Sequence, residues 1–329
     1  MKRGLTKLSG ILAINKPAGM TSHDVVNRVR RLSGEGRVGH AGTLDPAATG
    51  LLLVCVGPAT RLSDLLMHQS KTYEANIVFG AATDTDDADG EIISAAPLSA
   101  QLADADYARK LLAGFTGSFM QQPPRFSALK RAGVPAYKLA RQGKEPDLAP
   151  RQVTIDRLEL QELQAEPAGD RNDATSAPGA PSACSWRIAA DVSKGTYLRA
   201  LARDIGEASG CLAHLGALCR TRIGHITLAA AVTLEQLEQA SDGQTSGWEQ
   251  FWLDPLAALA LPEVELTPRE YGTVCNGGSL SGAADGLAND ALVALTCERR
   301  VMAIYQARIG GRLLIPQTII PGGVSGIGA

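Results

Sequence analysis

The sequence predicts an α+β fold: a large mixed, mainly antiparallel sheet flanked by helices, followed by a small β-rich domain. Three observations carry this. Residues 51–56 (LLLVCV) form an unbroken apolar run of strand length, the pattern of a strand buried on both faces. Residues 153–163 and 185–193 read as the two strands of one hairpin, because Trp186, Ile188, Ala190 and Val192 alternate along the second of them. After Leu261, short strand-like pieces (VELTP, NGGSL, ALVALT, VMAIYQARIGGRLL) alternate with glycines, which sets a boundary near residue 262. Two domains are therefore expected, residues 1–261 and 262–329, in keeping with a chain of 329 residues.

Taken in order, GILAINK is a short apolar strand and Lys16-Pro17-Ala18-Gly19 a turn. A helix follows with Thr21 or Ser22 as its N-cap and Val25, Val26 and Val29 on its buried side. The same helix places Arg28 and Arg31 three apart, where both can share an exposed, phosphate-facing edge. A Gly-rich stretch, residues 34–42, leads into the loop HAGTLDPAATG, which the buried run LLLVCV ties to the core. KTYEANIVF is a strand and TDTDDADGE behind it an acidic turn. Residues 104–115 form a helix, and PPRFSALKRAGVPAYKLARQG is a basic loop leading into another. Between the hairpin strands, residues 164–183 are rich in Pro, Ala, Gly and Ser with almost no large apolar side chain, so a mobile insertion is expected. KGTYLRALARDIGEASG passes into a helix with Leu198, Leu201, Ala202 and Ile205 as its apolar stripe and Gly210 at its end.

Composition excludes several classes. The apolar runs, such as residues 51–56 and 256–261, fall far short of the ~20 residues that span a bilayer, and the basic start lacks a secretory core and cleavage site. A cytoplasmic protein without membrane association is expected. The six cysteines show no C-x-x-C pair and no His at zinc-ligand spacing, so they are read as buried free thiols. The net charge of −2 hides an asymmetry: residues 1–40 carry eight Lys and Arg against two acids, residues 121–160 eight against four, and residues 226–268 none. A protein that grips phosphate on one face has this pattern, and so does one with ordinary solvated charge.

HAGTLDPAATG, KTY and KGTYLRALARDIG carry the chemistry only as a group. Alone, Asp-Pro is a turn device, a strand Tyr is half-buried packing, and an Arg opening a helix meets solvent. Together with INKPAGMTSHD, TDTDDADGE, FSALK and CLAHLGALCRTRIG, in order over about residues 11–225, they strongly resemble the tRNA pseudouridine synthases that modify the T-loop uridine at position 55, often called the TruB type.

The resemblance implies a pseudouridine synthase fold and an isomerisation in which the uracil's N-glycosidic bond breaks, the base rotates, and it is reattached through carbon. Asp45 of G-T-L-D takes the place of the nucleophile, attacking either the uracil ring or the ribose anomeric carbon. The base must be flipped out of the RNA loop, and Tyr73 matches the residue that stacks on it. Tyr197 and Arg199 match the other active-site pair, the Arg ion-pairing with the nucleophile through a planar fork that Lys cannot supply. His40 matches the residue that stacks in the space the base vacates. Leu218 matches an apolar lining residue, and Lys16, Pro17 and Lys130 match positions of structural support or backbone contact. Arg220 keeps one arginine where the family often has two; Cys219 replaces the other, and the 164–183 insertion is commonly a shorter turn. Residues 262–322 fit loosely the small RNA-binding β-barrel of the PUA type. The partner implied is tRNA through its T-arm, bound by a monomer needing no protein partner.

No cofactor and no metal are expected: there is no G-x-G-x-x-G after a strand and no P-loop, and TDTDDADG lacks the Glu that ends a calcium loop. Two competing readings make distinct predictions. A tRNA-folding helper would tolerate Asp45→Asn, whereas the enzyme would not. A carboxylate-pair glycosidic hydrolase would need a second acid near Asp45, where the motifs offer Arg199.

Overall fold

The computed structural model describes residues 8–131, 133–167, 180–241, 245–282 and 284–326. They form two compact units: residues up to Gln69 together with those from Arg222 onward, and Ser70–Thr221.

In the first unit, strand Gly10–Lys16 runs antiparallel to Thr49–Val56, with Gly10 opposite Val56 and Lys16 opposite Gly50. Val38–His40 pairs with the end of the same strand, His40 opposite Val54. All six side chains of 51–56 are fully buried. The strand period of two divides them between two cores. Ile11, Leu51, Leu53 and Cys55 pack with Leu62, Ile304, Ile320 and Val324. Leu12, Ile14, Leu52 and Val54 pack with Val25, Val26 and Val29 of helix Ser22–Ser33 and with Leu237 and Trp248. Thr21 caps that helix in a reciprocal box with Asp24, and Gly34 closes it in the left-handed conformation at φ 66°. Arg28 is ion-paired with Glu238, so it does not stand open beside Arg31 as the helical spacing suggested.

Beyond Leu261 the chain forms a five-stranded sheet in the order Glu263–Glu265, Leu292–Cys297, Arg300–Arg308, Leu313–Val324, Leu280–Ser281. The first pair is parallel and the rest antiparallel. Its second face buries Val293, Leu295, Ala303, Tyr305 and Leu314.

The second unit is built on strands in the order Ala213–Ile223, Lys71–Phe79, Ala183–Val192, Arg151–Glu166, Gly117–Gln121, the last three pairings antiparallel. The predicted hairpin is present and longer than expected. Gln164 to Glu166 pair with Ser185 to Ala183, so the flanks of the 164–183 segment are strand rather than insertion. Backbone hydrogen bonding of the ladder continues there despite the small side chains; residues 168–179 lie outside the described residues. Trp186 is buried edge-on against Phe79, centroids 4.6 Å apart, and donates to the Leu102 carbonyl at 3.0 Å. Helix Leu198–Ser209 buries Leu198, Leu201, Ala202 and Ile205 and ends at Gly210, φ 71°. The segment expected to be a basic loop folds as a small hairpin, Lys130–Arg131 with Val134–Pro135, before helix Ala136–Arg141.

The thiols are free, and Cys55, Cys184 and Cys211 are buried; Cys219 and Cys297 are half-buried and Cys275 exposed, contrary to the uniform burial expected. Among the described residues no helix is long and apolar enough to cross a membrane.

Candidate active site

The first unit holds the Asp45 loop. Ala41, Leu44 and Ala48 are buried and pin it to the core at three points, while Asp45 between them remains half-buried. The end of strand Gly10–Lys16 with its turn, and the start of helix Ser22–Ser33, secure the backbone on either side of Asp45. The Pro46 carbonyl accepts from the Gly19 N–H at 2.9 Å and from Lys16 Nζ at 3.1 Å. Gly19 sits at φ 84°, a conformation open to glycine at little cost. Lys16 is fully buried, and its ammonium also donates to the Pro17 and Met20 carbonyls at 2.8 and 2.7 Å. Three carbonyl acceptors suit a group with three donors and compensate its removal from water. On the other side, the Ser22 hydroxyl accepts from the Leu44 N–H at 2.8 Å and donates to the Leu44 carbonyl at 3.1 Å. The Asp45 carbonyl accepts from Ala48 N–H at 3.1 Å. Pro17 is exposed, and half-buried His40 ends its strand five residues before Asp45.

The second unit holds the remaining predicted residues. Tyr73 lies in the interior strand Lys71–Phe79, opposite Ala190, and is mostly buried. The Arg220 guanidinium, only 1% exposed, lies 6.0 Å from the Tyr73 ring centroid, with Nη1 donating to the phenol oxygen at 3.4 Å. That places Arg220 behind the ring as a support, with a cation near its π face. Leu218, half-buried, precedes it by two on the same strand and so shares its face. Lys71, two residues before Tyr73, is held down to about 8 by burial first and then by Arg220 and Lys194.

Arg199, in the first turn of helix Leu198–Ser209, is buried. Its Nη1 donates to the Thr85 carbonyl at 3.0 Å, its Nη2 to the Phe126 carbonyl at 2.8 Å, and its Nε faces Asp87 at 3.5 Å. Four residues on, Arg203 pairs with Asp86 at 3.1 Å. Burial raises the Asp86 carboxyl above its usual range, against the pull of Arg203. Gln121, buried, holds both backbone groups of the residue before the helix, accepting from Tyr197 N–H at 2.9 Å and donating to Tyr197 C=O at 3.1 Å. Lys130 opens the small hairpin strand; its side chain lies outside the described residues.

Sequence reading therefore passed over Ser22, Gln121, Asp86 and Asp87. In the acidic turn, weighed as a cation loop, Asp84 accepts from the Glu91 N–H, Asp87 from the Asp89 N–H and the Thr85 hydroxyl, and Asp86 pairs with Arg203. The signal available was charge complementarity, two adjacent acids against Arg199 and Arg203 at helical spacing.

Comparison with known proteins assigns this arrangement to a class. The fold matches, at a TM-score of 0.66 and 21% identity, a chain of an H/ACA RNP bound to a substrate RNA containing 2′-deoxyuridine, covering 94% of this chain and 84% of that one. A Cbf5-Nop10-Gar1 complex gives the same score at 23% identity, with the same coverage. The fold is that of the pseudouridine synthases. The TruB family pseudouridylate synthase N-terminal domain matches residues 30–198, and the tRNA pseudouridylate synthase B C-terminal domain matches residues 199–262. Proteins named tRNA pseudouridine synthase B are 38% identical in Azoarcus sp. (94% of this chain, 96% of that one) and 40% identical in Geobacillus thermodenitrificans (91% and 94%). The chain belongs to the TruB family of pseudouridylate synthases, enzymes that isomerise uridine in tRNA.

Proposed function

We propose that this enzyme converts the T-loop uridine at position 55 of tRNA to pseudouridine with Asp45 as its nucleophile. The observation that carries the reading is a half-exposed carboxylate on a loop whose backbone is held immediately before and after it by buried groups, Ser22 and Lys16. Such fixing suits a group that must meet a flipped-out base in one orientation.

In the reaction the bond from N1 to the ribose C1′ breaks and a bond from C5 to C1′ forms. The C5 proton leaves and N1 regains a proton, so the product is an isomer and the balance requires no cofactor. Asp45 forms the covalent intermediate at either the ring or C1′. Tyr73 stacks on the base over the support of Arg220, and Leu218 and Tyr197 bound the base on its other sides. Arg199 orients the nucleophile, and His40 fills the space the base leaves. Lys16, Pro17 and Lys130 support the loops, and residues 262–329 act as a PUA-like tRNA-binding domain beside a catalytic domain of residues 1–261. The enzyme works as a cytoplasmic monomer without a protein partner.

The test is pseudouridine mapping at single-nucleotide resolution on an unmodified tRNA transcript and on one with cytidine at position 55. A single pseudouridine at position 55 in the first, and none in the second, is expected. Modification at other uridines in both would contradict the assignment.

A further inference from the structure

The helix Ser22–Ser33 has a complete N-terminal cap without Ser22, because Thr21 and Asp24 satisfy each other's backbone N–H groups. The Ser22 hydroxyl is thus spare for other use, yet it is 2% exposed and both of its bonds go to one residue 22 positions away. That residue is Leu44, immediately before Asp45. A hydroxyl that accepts from an N–H and donates to the C=O of the same residue fixes its two flanking peptide planes, and the second of those planes is the Leu44–Asp45 peptide. The Pro46 carbonyl, held by Gly19 N–H and Lys16 Nζ, fixes the chain one residue further on. Burial of the Leu44 side chain alone would hold the loop down but leave rotation of that peptide open.

We infer that Ser22 is a positioning residue for the Asp45 carboxylate, setting the direction from which it approaches the substrate. This rests on Asp45 being the nucleophile. Helix seating belongs to Val25, Val26 and Val29, which are essentially unexposed, so loss of the hydroxyl acts on the loop and not on the helix.

The test compares Ser22→Ala, Thr21→Ala and Asp45→Asn in the full chain. Single-turnover release of tritium from tRNA carrying [5-³H]uridine gives the rate, filter binding gives tRNA affinity, and Tm gives stability. Ser22→Ala is expected to slow the single-turnover rate about 10- to 100-fold with tRNA affinity and Tm close to wild type. Thr21→Ala, which removes the cap, is expected to lower Tm and keep the rate. A wild-type rate in Ser22→Ala overturns the inference. A rate that falls only in step with affinity and Tm overturns it too, since that is the signature of a structural role. Tritium release by Asp45→Asn would instead remove the nucleophile assignment on which it rests, an outcome separable from the first two because it appears in a different variant.

Discussion

Gln121 holds both backbone groups of Tyr197, its amide oxygen 2.9 Å from the Tyr197 nitrogen and its amide nitrogen 3.1 Å from the Tyr197 carbonyl oxygen. Helix Leu198–Ser209 has no side-chain cap at Tyr197, and a buried amide from strand Gly117–Gln121 fixes the backbone of the residue that opens it. Replacing Gln121 by Met, of similar volume, takes that partner from the Tyr197 N–H, while the Tyr197 carbonyl keeps the Leu201 N–H at 3.0 Å. The expected cost is about 1–3 kcal/mol per unsatisfied group, measured by urea unfolding. The modification rate should fall as well, because Arg199 follows in the first turn.

Arg199 reaches the Thr85 carbonyl, the Phe126 carbonyl and Asp87 with three nitrogens of one plane. A lysine offers one nitrogen on a flexible stem and cannot make the three contacts together. Arg199→Lys is expected to reduce the single-turnover rate by about 100-fold, with tRNA affinity nearly unchanged in a binding assay. In a double-mutant cycle with Asp87→Ala the effects on stability should be non-additive by about 0.5–3 kcal/mol; strict additivity would separate the two residues.

Much of this was legible in the sequence, and what was not has physical causes. The buried strand 51–56, the helix over Val25, Val26 and Val29, and the hairpin around Trp186 follow from local periodicity, which a single chain displays. Asp45, Tyr73 and Arg199 stood out only through ordered motifs. Ser22 and Gln121 were invisible because their partners, Leu44 and Tyr197, lie 22 and 76 positions away and are contacted through the backbone, which every residue type presents alike. The acidic turn hid its role for a related reason: the sequence argued against a cation loop but could not show its partners, and only tertiary structure brings Asp86 and Asp87 to arginines.

Lys71 gives the fold a pH signature. It titrates near 8 in the folded chain, lowered chiefly by burial, against 10.5 as its ordinary value. Between those values the unfolded chain keeps a proton that the folded chain has released, so this residue makes stability rise with pH. Cys55 and Cys184, pushed up by burial from 9.0 to about 11, act in the opposite direction between those limits. The comparison must therefore be wild type against Lys71→Met, where the cysteines cancel. The stability difference should move in favour of wild type from pH 7.5 to 10 in urea unfolding. A difference flat with pH would contradict the assignment.

Lys16→Met keeps the volume and removes the donor to three carbonyls, among them that of Pro46. A loss of about 1–3 kcal/mol for each buried carbonyl left without a donor is expected, the Pro46 carbonyl keeping the Gly19 N–H. It should show as a lowered thermal midpoint together with weaker modification activity.

The most direct test of the whole account is pseudouridine mapping of an unmodified tRNA transcript after incubation with wild type or Asp45→Asn, with tRNA binding measured for both. The account predicts pseudouridine at position 55 with wild type only, and binding by both proteins. Binding without modification by the wild type, or equal modification by Asp45→Asn, would contradict it.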